Sequence, residues 1–307
     1  MLDYVTTVNG DVPGSELGVV LPHEHLLFDA TAVSGKSEQV LADVELAIRE
    51  AGRFRDAGGS TIVELTNLGI GRNPEGLRRI ADATELNIVM GCGWYHGQFY
   101  DARFRSMSTN AIADEMVKDI RSGVEGSGVR AGIIGEIGCT GDHIEVEEER
   151  SFHAAALAHL ETGRTVSTHA DYSPVGLEQI ELLRAHGVDP RRVVVGHCDS
   201  HPDPAYHEEV ARRGSYVQFD NVRGTDEEGV RLRLGWVLRL VARGFLRKVL
   251  ISQDICYRPH LREFGGKGYD YILTGFVSRM LEAGLSRDDV HTVLVRNPRS
   301  ALTGSEC

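Results

Sequence analysis

Apolar and β-branched residues recur along this chain as short continuous runs, each closed by glycine, proline or a polar residue. Five runs occupy residues 18–22, 131–135, 165–168, 193–196 and 249–253, and three more occupy 61–66, 88–93 and 215–220. Runs of this length without polar alternation predict strands buried on both faces, as in a parallel sheet. Between them the apolar spacing becomes helical. Residues 40–57 carry Val40, Leu41, Val44, Ala47, Ile48, Ala51 and Phe54, and residues 147–160 carry Phe152, Ala155, Ala156 and Leu160. Further helices are predicted over 177–185, 205–212 and 232–242. Gly58-Gly59, Gly163, Gly187, Gly214 and Gly244 follow helical stretches and read as C-terminal stops.

Strand then helix, repeated without a Pro/Ser linker or low-complexity tract, predicts a single α/β domain over residues 1–307. A doubly wound open sheet and a closed barrel share that alternation, and the polar residues closing the runs separate them. His23 and His25 follow the first run, Glu136 the fourth, His169 the fifth, His197 the sixth and Asp254 the eighth. An open sheet gathers ligands at a switch point between a few strands, whereas a closed ring also sets the first strand beside the eighth. The prediction is a (β/α)8 TIM barrel with these side chains at the mouth formed by the C-terminal strand ends. A length of 307 residues is close to the usual size of one such barrel.

Four imidazoles and two carboxylates converging on one mouth can hold two divalent metal ions. His23 and His25 stand two apart on a strand, which aims both at one ion and leaves Glu24 pointing outward or closing the strand. Glu136, between small neighbours in Gly135-Glu136-Ile137-Gly138, can bridge two cations; the alternative is a salt bridge to Arg72. Asp254 is expected to be both ligand and proton handler, the alternative being a helix N-cap. Mixed imidazole and carboxylate ligands suit zinc first, and also manganese, cobalt or iron. Cys139 and Cys198 lie near these residues, but a thiol activated by one His would leave the other ligands unexplained.

Composition narrows the partners. A net charge of −12, from 33 basic and 45 acidic residues, argues against nucleic acid or an anionic membrane and for a small-molecule substrate. No apolar stretch is long enough to span a bilayer. Met1-Leu2-Asp3-Tyr4 lacks the features of a signal peptide. Cys92, Cys139, Cys198, Cys256 and Cys307 form no CxxC pair, which points to a reducing, cytoplasmic setting.

The motifs Leu21-Pro22-His23-Glu24-His25-Leu26, 132–138, Ser167-Thr168-His169, 195–199 and Ser252-Gln253-Asp254 together resemble the phosphotriesterase family of the amidohydrolase superfamily, over essentially the whole chain. Residues 265–271 and Arg296-Asn297-Pro298 share the likeness, which is greatest to the branch of phosphotriesterase homology and phosphotriesterase-related proteins. The resemblance implies a binuclear, usually zinc, centre, with His23, His25 and Asp254 at the more buried ion and His169 and His197 at the more exposed one. It also implies a metal-bridging hydroxide as nucleophile, and homodimers are common among relatives; Phe99, Tyr100 and Phe104 are the apolar residues expected to serve an interface. The family's efficient organophosphate hydrolases bridge their metals with a carboxylated lysine from the fourth strand. That strand has no lysine here, Glu136 taking the place, and Glu-bridged relatives generally lack notable triesterase activity.

The expectation is therefore a hydrolase of lactones or carboxylic esters, including phosphorylated sugar lactones, with an amidase acting on an N-acyl compound as the alternative. A metal-bearing binding protein without turnover is the reading from another class, and the complete ligand set argues against it. Specificity should come from loops after the strands. Arg72, Tyr95, Arg258, Lys267 and Tyr269 are the expected substrate-binding residues, the basic ones suiting an anionic substrate; Asn73, Trp94, His96, Arg223 and Tyr257 lie in the same loops.

Overall fold

Eight parallel strands pair in chain order, each beside its successor, in a computed structural model that describes residues 3–305 except Thr225. They are β1 (Val20–Glu24), β2 (Thr61–Glu64), β3 (Asn87–Cys92), β4 (Ile133–Gly138), β5 (Val166–His169), β6 (Val193–Gly196), β7 (Tyr216–Phe219) and β8 (Val249–Ile251). Nearly every residue in them is buried, which is why the sequence shows continuous apolar runs. Helices follow the strands and cover the outside, so the architecture is the (β/α)8 TIM barrel. Asp254 N donates to His23 O at 3.2 Å and His23 N to Ser252 Oγ at 3.0 Å, bringing the last strand end back to the first.

Of the two placements expected for Glu24, the structure has the second: it closes β1 and does not face outward. Its buried carboxylate accepts from Ser252 Oγ at 2.8 Å, Gln253 N at 2.8 Å and Ile255 N at 3.0 Å. The pairing of β1 with β2 shifts register between Leu21 and Glu24, so simple alternation does not set the direction of this side chain. The residue between the two histidines thus staples the barrel seam.

Helix limits moved where caps were overlooked. The helix expected from Val40 begins at Val44, because Val40–Leu41 pairs with Phe28–Asp29 and the Asp43 side chain accepts from Glu45 N and Leu46 N. The helix expected from residue 232 begins at Glu227, capped by Asp226. Helices Pro74–Thr84 and Thr109–Arg121 were not singled out in the sequence, although Asn73 and Ser108 cap them. The Arg296-Asn297-Pro298 motif has a structural role: Asn297 Nδ2 donates to Val249 O at 2.7 Å and Leu246 O at 2.8 Å, holding the start of β8.

Tyr100 and Phe104 are core residues, stacked with ring centroids 3.8 Å apart, and do not offer an interface; Phe99 is only half-buried. Cys92, Cys139, Cys198 and Cys256 are free and buried, and Cys307 lies outside the described residues. Among the described residues no helix is long and apolar enough to cross a membrane.

Candidate metal centre

The carboxylate of Glu136 is the point on which the strand ends converge. Its Oε1 lies 3.3 Å from His25 Nε2, and its Oε2 lies 3.0 Å from His169 Nδ1, 3.3 Å from His197 Nε2 and 3.5 Å from His23 Nε2. Asp254 Oδ1 stands 3.1 Å from His25 Nε2 and 3.8 Å from His23 Nε2. All six residues are buried. The alternative of a Glu136–Arg72 salt bridge is not what forms, because Arg72 Nη1 is bonded to Asp119 at 2.6 Å. Asp254 caps no helix, since the chain turns there with φ +48.

Local backbone brings these atoms together. Gly135 has φ +117, and a Cβ there would run into Ser167 O; a Cβ at Gly138 would lie 2.5 Å from His169 Cβ. The small residues flanking Glu136 thus let β4 press against β5. His197 ends β6 with φ +56, turning its imidazole into the mouth.

Behind the imidazoles lies a ring of partners not foreseen in the sequence. Asp220 Oδ1 is 2.8 Å from His197 Nδ1, and its Oδ2 is 3.2 Å from His23 Nδ1. Gln218 Nε2 contacts His23 Nδ1 at 2.7 Å, and Thr66 Oγ1 contacts His25 Nδ1 at 2.9 Å. Asp220 and Thr66, by accepting from Nδ1–H, leave the Nε2 lone pairs of His197, His23 and His25 for the centre. The available signal was the ending of the seventh run in an acid, Asp220, like those of the fourth and eighth. Tyr269 OH donates to His25 O at 2.7 Å, and Gln253 Nε2 to Gly268 O at 2.6 Å, so the 265–271 motif braces the centre from behind.

These residues fit a pair of ions on three observations. Groups of ligand atoms within 4.8 Å of one another include His23, His25 and Glu136, and separately Glu136, His169 and His197. Two atoms each about 2.0–2.1 Å from one zinc ion stand roughly 3.0–3.4 Å apart at octahedral to tetrahedral angles, close to the separations above. Among the described residues His23 Nε2 is buried with no hydrogen-bond partner, so its lone pair, once deprotonated, is free for a cation. A third group, His23, His197 and Asp220, also meets the distance condition. There Asp220 accepts from His197 N at 2.9 Å and Gln218 Nε2 at 2.9 Å, so it serves as a partner of ligands.

Protons occupy the cluster when ions do not. Burial alone would depress His23, but Glu136 and Asp220 outweigh it and lift the imidazole to about 10. Burial of His25 is likewise outweighed by Asp254 and Glu136, which raise it to about 9. Burial would raise Glu136, but His23 and His169 hold it well below the usual carboxylate range. At pH 7 the ion-free imidazoles His23 and His25 are therefore charged, and each must shed a proton to offer a lone pair. Zinc titrated into chelator-stripped, weakly buffered protein should acidify the solution, and its apparent affinity should rise between pH 6 and 8. Uptake with neither proton release nor pH dependence would show that the imidazoles are already neutral.

The centre floors a cavity of about 440 Å³, lined also by Gln39, Tyr95, His96, Thr140, Asp171, Tyr172, Asn221, Arg223 and Tyr257. Of the expected substrate-binding residues, Tyr95 is in place, its hydroxyl 3.2 Å from His169 Nδ1. The other four do not reach the lining. Arg72 is held by Asp119, Tyr269 is buried behind His25, Arg258 donates to Val40 O at 2.9 Å, and Lys267 is exposed elsewhere. Cys256 and Tyr257 still line the cavity, but one residue further on the Arg258 side chain is held at Val40 O. Arg223 reaches the lining instead, with Nη2 bonded to Asp254 Oδ2 at 2.6 Å. The Cys139 thiol lines the cavity but burial pushes it up to about 12, which leaves it a poor nucleophile.

The Phosphotriesterase family model matches residues 3–302. The chain is 38% identical over 281 residues to the phosphotriesterase homology protein of Escherichia coli K12, covering 92% of this chain and 96% of that protein. It is 35% identical over 280 residues to the N-acetyltaurine hydrolase of Dictyostelium discoideum, covering 86% of this chain and 74% of that protein. The crystal structure of a lactonase from Listeria monocytogenes superposes with a TM-score of 0.91 at 26% identity, over 99% of this chain and all of that one (100%).

Proposed function

The chain belongs to the phosphotriesterase family and is a metal-dependent hydrolase of small molecules; from that membership we propose that it opens lactones or cleaves carboxylic esters at a binuclear, zinc-preferring centre. The observation that carries this reading is the placement of His23, His25, His169, His197 and Asp254 around the single carboxylate of Glu136. We assign the bridge to Glu136, the more buried ion to His23, His25 and Asp254, and the more exposed ion to His169 and His197. When bound, the two ions would make water acidic enough to attack at neutral pH and would polarise the scissile carbonyl.

The chain's own residues supply the rest. Burial would raise Asp254, but the hydrogen bond from His25 and the charge of Arg223 hold it below its ordinary range, so it is ionised and ready to accept a proton. Oδ1 faces the centre while Arg223 grips Oδ2, which leaves one oxygen to take the proton of the attacking water and return it to the leaving oxygen. Tyr95, beside His169, is placed to orient the substrate. Water activation suits a planar acyl carbon, and lactone opening keeps both products in one molecule. A lactonase of the same fold supports this reading.

The second reading is cleavage of an N-acyl amide, favoured by the similarity to an N-acetyltaurine hydrolase. The same Asp254 would then protonate a departing amine. Metal content of protein purified without chelator, with lactone, ester, amide and phosphotriester hydrolysis measured on the same sample, tests both. About two divalent ions per chain and metal-dependent turnover led by a lactone or ester are expected. Amides leading would select the second reading, phosphotriesters leading would reject both, and metal absent even after zinc is added would remove the centre.

A further inference from the structure

We infer that the Asp171 carboxylate selects the far end of the substrate, favouring a cationic or hydrogen-bond-donating group and turning away phosphate, sulfonate and carboxylate. This deepens the hydrolase reading above and rests on it. Asp171 stands two residues beyond His169, half-buried in the loop after β5, and lines the same cavity. Among the described residues no hydrogen bond or ion pair occupies its side chain. Its neighbour Tyr172 sits on the rim, 80% exposed with φ +54, and donates its backbone N–H to Ser200 Oγ at 2.7 Å, which fastens the loop.

Among the described residues the rest of the wall offers no unengaged opposing charge. Among the described residues Arg223 is the one arginine or lysine on the lining, and it is already engaged. Its Nε donates to Gln253 O at 2.9 Å, and its Nη2 to Asp254 O at 2.9 Å and Asp254 Oδ2 at 2.6 Å. Asp142 adds a second wall carboxylate, 2.9 Å from His143 Nδ1. With the reacting carbonyl anchored over the centre, a substituent reaching this wall meets carboxylate oxygens and no available cation. Arg72, Arg258 and Lys267, the basic residues expected to suit an anionic substrate, lie off the lining. A unit charge several ångströms away across a partly hydrated gap changes affinity on the order of tenfold.

The test uses three hydroxamates of similar length, which anchor on the metal and differ only at the far end: β-alanine hydroxamate, propionohydroxamate and succinate monohydroxamate. Binding to zinc-loaded protein is read by calorimetry, without turnover. The cationic probe should bind about tenfold more tightly than the neutral one and about a hundredfold more tightly than the anionic one. In Asp171→Asn both ratios should shrink to within about twofold of unity, and in Asp171→Arg the order should invert. An anionic probe bound most tightly by the wild type, or a ratio unmoved in both variants, overturns the selector while leaving the hydrolase reading intact. If zinc loads and none of the probes binds, or zinc does not load, the hydrolase reading fails and the selector falls with it.

Discussion

Asp254→Asn should lower kcat/KM by about 100- to 10,000-fold while the protein keeps most of its metal. The amide has nearly the shape of the carboxylate and retains a carbonyl oxygen that can face His25 Nε2, 3.1 Å from Oδ1 in the wild type. What it loses is the capacity to take and return a proton, and with it the negative partner of Arg223 at Oδ2. That fall corresponds to roughly 3–5 kcal/mol of transition-state stabilisation, since each factor of ten is about 1.4 kcal/mol. Steady-state rates and elemental analysis on one preparation separate the two roles. Turnover within a few-fold of wild type would take Asp254 out of the proton path. Parallel loss of metal and activity would make it a ligand before anything else.

Glu136→Ala should act on the metal itself. The wild-type carboxylate touches all four imidazoles through its two oxygens, so if it is the proposed bridge its removal would take a ligand from both ions at once. Changing a mere partner of a ligand typically costs 10- to 100-fold in affinity; loss of a bridging ligand should cost at least about 100-fold. Metal content after dialysis is expected to fall below one ion per chain. The ion-free barrel should also weaken, because protonated His23 and His25 lose their buried counter-charge, a loss on the order of 3–5 kcal/mol. Thermal unfolding with and without zinc reads this second effect, and Glu136→Gln preserves the volume if the alanine variant fails to fold. Two full equivalents of zinc in either variant would show that Glu136 is not the bridge.

Much of the site was legible because side chains that close the strands of a barrel obey a local rule. Each of the six residues directly follows an apolar run, and the run is recognisable without knowing what it packs against. Asp220 escaped notice although it also ends a run, because its role is to hold His23 and His197 rather than to face the centre. Glu24, expected to point outward or to close the strand, closes it and is buried at the seam, bonded to residues 228–231 positions away in sequence. Arg258, expected to bind substrate, bonds instead to Val40 O, and Arg223 takes the place beside the Asp254 carboxylate. Tyr100 and Phe104, expected on the surface, stack inside the core.

The sequence by itself determined the eight strands, their order and the six side chains at their ends. Burial and periodicity are properties of a few neighbouring residues, and a parallel ring leaves strand ends only one mouth to share. Contacts across the barrel decided which carboxylate meets which imidazole, which arginine faces the cavity, and that Asp171 stands on its wall with no partner among the described residues. Those outcomes depend on the closure of β8 against β1, on register shifts in β1 and β4, and on backbone turns at His197 and Asp254. None of these leaves a periodic trace, because each joins residues that the chain holds far apart and only the closed barrel brings into contact.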